Sequence, residues 1–270
     1  MKMACSSIDS PKGEQFHDVK RDEIHLGGTA RSAEDVVSLS ELGLQFAEIP
    51  IVDPDKFQAL KSSYQSLGKE LGIYYLCHAP AEGNPRDIET LENIYFPKLV
   101  KTLSVMPDLD MRLLTFHLLM DARFVAEDVI AYKIEFLERL IEKAGDSGIT
   151  ICLENLSENA THLADAFEAL PSLNLCLDLG HAQLLSEHNT SGGFIDRFPE
   201  RIKHIHVHDN RGGDSPNDDL HLPLGDGIVD FGEIFKKLKA IGYCGTITLE
   251  LRPHEIKKCL GYAKKLVASQ

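Results

Sequence analysis

The chain has 270 residues, of which 43% are hydrophobic and 26% charged, and its formal net charge is −14. That length is enough to bury one large core or two smaller ones. The negative charge argues against a protein that binds nucleic acid through a basic surface. It does not exclude a locally basic groove or phosphate binding through metal ions.

The N-terminal segment and the cysteines indicate the compartment. The first twenty residues lack the apolar core of a signal peptide, and no apolar stretch approaches the roughly 20 residues that span a bilayer. Six cysteines occur without a C-x-x-C pair, and four of them lie inside apolar runs, as buried free thiols do in a reducing compartment. We therefore expect a cytoplasmic protein with no membrane partner, and residues 1–21 as an N-terminal tail or edge segment.

Short apolar runs alternate with longer amphipathic stretches along the rest of the chain. The runs predict strands at 23–26, 44–51, 72–78, 112–117, 148–154, 173–178, 202–208 and 245–251. The amphipathic stretches predict helices at 32–42, 54–70, 87–105, 124–145, 161–170, about 182–200, 230–241 and 254–267. No linker rich in Pro, Gly or Ser divides the chain, so we expect one catalytic domain over residues 22–270.

Strands separated by helices indicate parallel βαβ units, and eight of them in about 250 residues are typical of an α/β fold of the (β/α)8 TIM-barrel type. The alternative is an open doubly wound sheet, which a Gly-rich phosphate loop after an early strand would favour. The only candidate loop, "LGGTARS" at 26–32, lacks the required spacing.

Polar residues occur at or near the ends of seven predicted strands. They are Glu48, His78, His117, Glu154, Asp178, His206, His208 and Glu250. In a barrel, the carboxyl ends of the strands meet at one mouth, where the active sites of such folds lie. Packing alone does not explain this series, because buried charges are avoided unless they are paired or bind metal.

Carboxylates and imidazoles together are the ligands of divalent transition metals. Glu154, Asp178, His206 and Glu250 would form one such site, which suits Mn²⁺ or Zn²⁺ best and leaves Co²⁺, Fe²⁺ or Mg²⁺ open. Further ligand types follow in the loops. They are His181, three residues after Asp178, and Asp219 and His221 in the segment "DDLHLPLGDG". Gly225 and Gly227 in the same segment allow the loop to turn back towards the mouth.

The segment "HIHVHDN", residues 204–210, places three histidines at alternate positions of a strand, so that all three share one face. Spacing alone does not say which of them is the ligand.

The full series resembles the xylose-isomerase-like TIM-barrel superfamily, over about residues 23 to 265. It comprises Glu154, Asp178-x-x-His181, His206-x-x-Asp209, Asp219-x-His221 with Gly225 and Gly227, and Glu250. The resemblance implies one metal held by Glu154, Asp178, His206 and Glu250, as in sugar isomerases and epimerases. It makes His206 the ligand, with His208 lining the mouth as a substrate-binding residue and His204 pointing into the barrel or lying behind the ligands. In the endonuclease IV type, five more residues join these four to hold three zinc ions. Here those five would be His78, His117, His181, Asp219 and His221. In a one-metal isomerase the same residues would instead be candidates for substrate binding, with the loop of Asp219 and His221 closing over the substrate and His221 donating to a hydroxyl.

The resemblance therefore implies one of two enzymes. The first is an isomerase or epimerase of a small sugar or other hydroxy-carbonyl compound, in which a metal polarises the substrate oxygens while Glu154 and Glu250 take and return a proton through an enediolate. The second is a multi-zinc nuclease acting at abasic sites in DNA. Dehydration on the same scaffold, or a barrel that only binds a ligand, are further alternatives.

Three features favour the isomerase or epimerase. The chain is acidic, and the loop "GGDSPNDDL" near the mouth is acidic too. "APAEGNPRD" follows His78 without the aromatic and apolar wedge of the nuclease members, and "LLMDARF" follows His117 where those members have Pro-Gly.

Two further residues are candidates for substrate binding. Arg252 lies two residues after Glu250 and would reach a substrate oxygen or phosphate, although an ordinary ion pair explains it equally well. Glu48 would line the mouth, or it has a structural role instead. The sequence indicates neither the oligomeric state nor the identity of the sugar.

Overall fold

The computed structural model describes residues 23–268, so the predicted tail at 1–21 lies outside the described residues. Eight parallel strands form a closed barrel in which each strand pairs with its neighbours in chain order and the last pairs with the first. The strands are β1 (His25–Thr29), β2 (Phe46–Pro50), β3 (Tyr74–His78), β4 (Leu113–His117), β5 (Thr150–Glu154), β6 (Asn174–Asp178), β7 (Ile202–Val207) and β8 (Thr246–Leu249). The predicted TIM barrel is confirmed.

Helices connect the strands on the outside of the barrel. They are α1 (Ala33–Glu41), α2 (Pro54–Leu71), α3 (Ile88–Thr90), α4 (Phe96–Val105), α5 (Glu127–Gly145), α6 (Ala164–Ala169), α7 (Ser191–Arg197), α8 (Phe231–Ala240) and α9 (Pro253–Ala268). The local sequence explains their ends. In α2, for example, the Asp53 side chain accepts the Lys56 N–H at the start, Pro54 occupies the first turn, and Gly72 ends the helix with a φ of 65°.

Three predicted elements differ from the structure. The first strand was expected over 23–26 but runs over His25–Thr29, through a pair of glycines. A Cβ on Gly27 would lie 2.3 Å from the Phe46 ring, so the close approach of this ring requires glycine. The single helix expected over about 182–200 is wrong: a short 3₁₀ turn, His181–Gln183, precedes α7. Between them Leu185 has a φ of 53°, a left-handed conformation that a helix does not contain.

The segment predicted as one helix over 87–105 contains a π-helical turn, Leu91–Tyr95, between α3 and α4. This turn places Tyr95 beneath the end of β4, where its hydroxyl donates to the His117 carbonyl over 2.7 Å. Tyr95 is only 1% exposed. The π turn thus supports the backbone of a residue that faces the mouth.

The base of the barrel is apolar. Its interior is filled by Phe46, Leu76, Leu113, Cys152 and Cys176, with Tyr74 packed against them. Polar side chains occupy the interior above this layer, towards the carboxyl ends of the strands. Cys77, Cys152, Cys176 and Cys259 are buried free thiols.

A buried ion pair ties α5 to the loop after β3. Lys133 is fully buried, and its Nζ donates to Glu82 Oε1 and to the Leu119 carbonyl, each over 2.6 Å. Within residues 23–268, none of the helices combines the length and the apolar character needed to cross a membrane.

Candidate metal centre

The carboxyl ends of the last four strands bring together four side chains of metal-ligand type. β5 ends in Glu154 and β6 in Asp178, His206 is the penultimate residue of β7, and Glu250 follows the last residue of β8. One ligand atom from each lies within 4.8 Å of the other three. We call these four residues the strand group.

The facing atoms of the strand group are buried and have no hydrogen-bond partner among the described residues. They are Glu154 Oε1, Asp178 Oδ2, His206 Nδ1 and Glu250 Oε2. His206 Nδ1 lies 3.3 Å from the Glu154 oxygen, 3.7 Å from the Glu250 oxygen and 3.8 Å from the Asp178 oxygen. Buried polar atoms normally have partners, and clustered carboxylates repel one another. A divalent cation would satisfy all four atoms, so these residues fit a metal ion.

Glu154 also faces the first half of the barrel. Its second oxygen, Oε2, lies 3.2 Å from His78 Nε2 and 3.0 Å from His117 Nε2. Burial alone would lower the pKa of His78, but the Glu154 carboxylate outweighs it and raises the pKa to about 9. Burial would conversely raise the pKa of Glu154, and nearby imidazoles, His117 first, hold it well below its ordinary value. Glu154 is therefore ionised and available to more than one cation.

A second cluster lies beside the first and is built from loops. Ligand atoms of His181, His208, Asp219 and His221 lie within 4.8 Å of one another, and we call these four residues the loop group. Asp219 Oδ2 lies 3.3 Å from His181 Nε2 and 3.1 Å from His221 Nε2. Burial would raise the pKa of Asp219 and lower that of His221. Hydrogen bonds from His181 and then His221 outweigh burial and hold the pKa of Asp219 below its usual range. The hydrogen bond to Asp219, with the nearby Glu250 carboxylate, raises the pKa of His221 to about 9.

The structure brings His208, which the family resemblance makes a residue lining the mouth, into the loop group. The side chain is fully buried, and its ring stacks on that of His221 with centroids 3.8 Å apart. Neither ring nitrogen has a hydrogen-bond partner among the described residues, although Nε2 lies 3.2 Å from Asp178 Oδ1. Alternation along β7 was the available signal, since it places residues 204, 206 and 208 on one face.

Asp209 holds the loop that carries Asp219 and His221. Its buried carboxylate accepts the N–H groups of Gly225 and Gly227 over 2.9 Å each and that of Val229 over 3.1 Å. A Cβ on Gly227 would lie 2.3 Å from this carboxylate, so glycine is required there. The sequence indicated that Gly225 and Gly227 are turn residues, but it did not indicate that their N–H groups bind the Asp209 carboxylate.

Glu48 lies deep in the barrel interior. The sequence left open whether it lines the mouth or has a structural role, and it is 1% exposed inside the barrel. Its Oε2 lies 2.9 Å from His206 Nε2 and 3.2 Å from His204 Nε2. Because β2 ends two residues after Glu48, the side chain is one layer below the strand ends and faces imidazoles rather than open space. His204 is fully buried in the same layer, as expected from the strand alternation.

Arg252 is exposed beyond the end of β8, and its backbone N–H donates to Glu255 Oε2 over 3.0 Å. Its guanidinium has no hydrogen bond or ion pair within residues 23–268, and substrate binding by Arg252 stays a prediction.

Comparisons with known proteins agree with this architecture. An uncharacterized protein of Methanocaldococcus jannaschii is 33% identical over 144 residues, which cover 48% of this chain and 45% of that protein. An L-ribulose 3-epimerase of Methylomonas sp. is 30% identical over 135 residues, which cover 47% of this chain and 43% of that protein. The alignments thus span less than half the length of these relatives.

Solved structures resemble the whole barrel. A D-tagatose 3-epimerase-like protein superposes with a TM-score of 0.76 at 21% identity, covering 90% of this chain and 97% of that one. A structure described as the IOLI protein with a binding zinc atom has a TM-score of 0.71 at 17% identity, covering 91% and 97%. At these identities the likeness establishes the fold.

The sequence profile of the family described as "Xylose isomerase-like TIM barrel" matches residues 36–266, which is most of the chain. This match agrees with the closed eight-stranded barrel and with the fold of the structural neighbours. The chain belongs to the xylose isomerase-like TIM-barrel family.

Proposed function

We propose that the protein is a divalent-metal-dependent isomerase or epimerase of a small sugar or related hydroxy-carbonyl compound. The observation that carries the proposal is the strand group, in which one imidazole nitrogen and three carboxylate oxygens face one another without hydrogen-bond partners. This donor set of mixed hardness suits Mn²⁺ or Zn²⁺ best, while Co²⁺, Fe²⁺ and Mg²⁺ remain alternatives. When bound, the cation would supply a Lewis acid for the carbonyl and hydroxyl oxygens of the substrate.

Glu154 and Glu250 are the proposed acid–base pair. Glu154 ends β5 and Glu250 follows β8, and the two strands between them, β6 and β7, carry Asp178 and His206. A substrate bound between the two carboxylates would therefore meet one on each face. One carboxylate takes the proton from the carbon beside the carbonyl, and the other returns a proton to the resulting enediolate. Glu154 is held ionised by its histidine neighbours, as a base requires. The Glu250 side chain is 15% exposed, which allows contact with a bound substrate.

The names of the relatives support this class of reaction. Both a sequence relative and a structural neighbour are named as 3-epimerases or epimerase-like proteins of ketoses, and another neighbour carries zinc. Arg252 and His208 are the proposed substrate-binding residues beyond the metal. Arg252 is exposed at the mouth, whereas His208 would act only where the substrate reaches between the strand group and the loop group.

A nuclease at abasic sites in DNA is the second candidate, and one specific observation favours it. Glu154 Oε2 lies between His78 Nε2 and His117 Nε2, and the loop group supplies another set of ligands, so the mouth offers donors for more than one cation. The net charge of −14 and the sequences after His78 and His117 weigh against this function.

The deciding experiment is a metal count on the purified protein, followed by turnover assays on a panel of ketoses and on abasic DNA. We expect at least one divalent transition metal per chain, and an isomer or epimer that incorporates solvent hydrogen at the reacting carbon. Cleavage of abasic DNA without ketose turnover would replace this proposal with the nuclease. A protein that binds no metal and converts no ketose would contradict it.

A further inference from the structure

A fully buried carboxylate lies directly beneath the strand group. Glu48 comes from β2, which is separated from β7 by β1 and β8 in the closed barrel, and its side chain reaches both His204 and His206 through the interior. TIM-barrel interiors are normally filled by branched apolar side chains at this depth. A buried charge is also strongly unfavourable unless it is paired, so its presence here requires a physical explanation.

The hydrogen bonds fix which nitrogen of His206 carries the proton. An ionised carboxylate only accepts hydrogen bonds, so His206 Nε2, 2.9 Å from Glu48 Oε2, must be the donor. In the neutral ring the other nitrogen, Nδ1, then carries the lone pair. Nδ1 is the atom that faces the three carboxylates of the strand group and has no partner among the described residues. The lone pair is therefore directed at the position that a cation would occupy.

His204 holds Glu48 from the other side. Its Nε2 lies 3.2 Å from the same Glu48 oxygen, and its Nδ1 lies 2.6 Å from the Thr246 hydroxyl. The hydroxyl can donate to Nδ1, which leaves the proton of His204 on Nε2, facing Glu48. Thr246, His204, Glu48 and His206 thus form a continuous hydrogen-bonded chain that runs from β8 to the strand group.

We propose that Glu48 is a positioning residue that holds His206 in the tautomer with a free Nδ1 and so strengthens the binding of metal by the strand group. This inference rests on the metal centre of the proposed function but not on the reaction. A carboxylate that accepts the second N–H of a metal-bound histidine fixes the ring and increases its basicity, and its loss typically weakens metal affinity about 10- to 100-fold.

Glu48→Gln tests the role of the charge, because the amide keeps the shape and one acceptor oxygen. The dissociation constant for Zn²⁺ is measured by competition with a chromophoric chelator. We expect it to be about 10-fold weaker than in the wild type for Glu48→Gln and up to about 100-fold weaker for Glu48→Ala. The matched control is Glu82→Gln, another buried carboxylate, which pairs with Lys133 and not with an imidazole of β7. The dissociation constant of Glu82→Gln for Zn²⁺ should stay within about twofold of that of the wild type. This change is well below the loss expected when a metal-bound histidine loses its carboxylate partner.

The wild-type protein offers a second measurement that needs no substitution of Glu48. In protein labelled with ¹⁵N-histidine and loaded with Zn²⁺, the resonances of His206, assigned by comparison with His206→Gln, should show a proton on Nε2 and metal on Nδ1. A proton on Nδ1, or a folded Glu48→Gln protein that binds Zn²⁺ as tightly as the wild type, would overturn the inference while leaving the metal centre intact. A wild-type protein that binds no Zn²⁺ or Mn²⁺ at all would overturn the proposed function together with it.

Discussion

The strand group and the loop group contain the same kinds of side chain but are held in different ways. Three residues of the strand group lie on β5, β6 and β7, and Glu250 directly follows β8, so the barrel itself fixes their spacing. The loop group depends on a 3₁₀ turn for His181 and on the long connection between β7 and α8 for Asp219 and His221. That connection is anchored largely by one side chain, Asp209. We propose on this basis that the strand group binds the metal and transfers the proton, while the loop group contributes to substrate selection.

The largest effect should follow substitution within the strand group. Glu154→Gln and Glu250→Gln should each lower the turnover of a ketose by about 10²–10⁴-fold, because an amide keeps the shape but cannot carry the proton. The rate is measured at saturating metal, together with the exchange of solvent deuterium into the substrate. Glu92→Gln, a surface carboxylate paired with Arg139, is the control. Near-normal turnover or exchange in either strand-group variant would refute the two-carboxylate mechanism.

A change in the loop group should have a smaller and different effect. The double variant His181→Ala plus His221→Ala should keep one ion per chain and raise KM for the ketose by about 10-fold, the magnitude expected for one lost hydrogen bond to a substrate. Metal content and steady-state kinetics are measured on the same preparation. Loss of metal together with loss of cleavage of abasic DNA would instead identify the loop group as part of a nuclease site.

Loss of the Asp209 carboxylate should disturb the loop group and leave the strand group almost unchanged. Asp209→Asn turns an N–H-bearing amide towards backbone N–H groups, so we expect the free energy of unfolding to fall by about 1–3 kcal/mol for the unsatisfied donors. Urea denaturation measures this loss. The Zn²⁺ affinity of the strand group should change little, because the side-chain hydrogen bonds of Asp209 run to backbone N–H groups of residues 210, 225, 227 and 229 and not to that group. A large fall in that affinity would show that the loop shapes the strand group as well.

The pH dependence should be the mildest effect. The pKa values of His78 and His221 are raised to about 9, so their protonated forms stabilise the metal-free protein below pH 6.5, and this contribution is lost as the pH rises through about 9. Metal ions compete with the same protons. The increase in Tm caused by Mn²⁺, relative to EDTA, should therefore be larger at pH 9 than at pH 6.5. An increase that shrinks over this range would contradict the assignment of both histidines.

The sequence was most informative where a regular period directs side chains. Alternation along β7 and the polar ends of β5, β6 and β8 indicated a common mouth, because parallel strands bring their carboxyl ends together. The sequence was least informative where a side chain reaches across the barrel interior, or where hydrogen bonds to residues far along the chain determine the conformation of a loop. For Glu48 the sequence left a place at the mouth and a structural role equally open, because nothing in its neighbourhood shows that His204 and His206 lie within hydrogen-bond distance. The anchoring role of Asp209 was missed for the same reason, since its partners follow sixteen to twenty residues later.

The seam between β1 and β8 has a consequence for the order of folding. Strand β8 pairs with β1 across almost the whole described chain, and such distant contacts form late because loop closure must come first. Glu250 follows β8, which pairs with β7 on one side and with β1 on the other, so the strand group is complete only after this last strand has joined the sheet. A cation that needs all four ligands would therefore bind the protein with β8 in place in preference to one with β8 detached, and mass action would then make detachment of this strand rarer. In a nascent chain, metal would be the last component to join and would retain the closing strand.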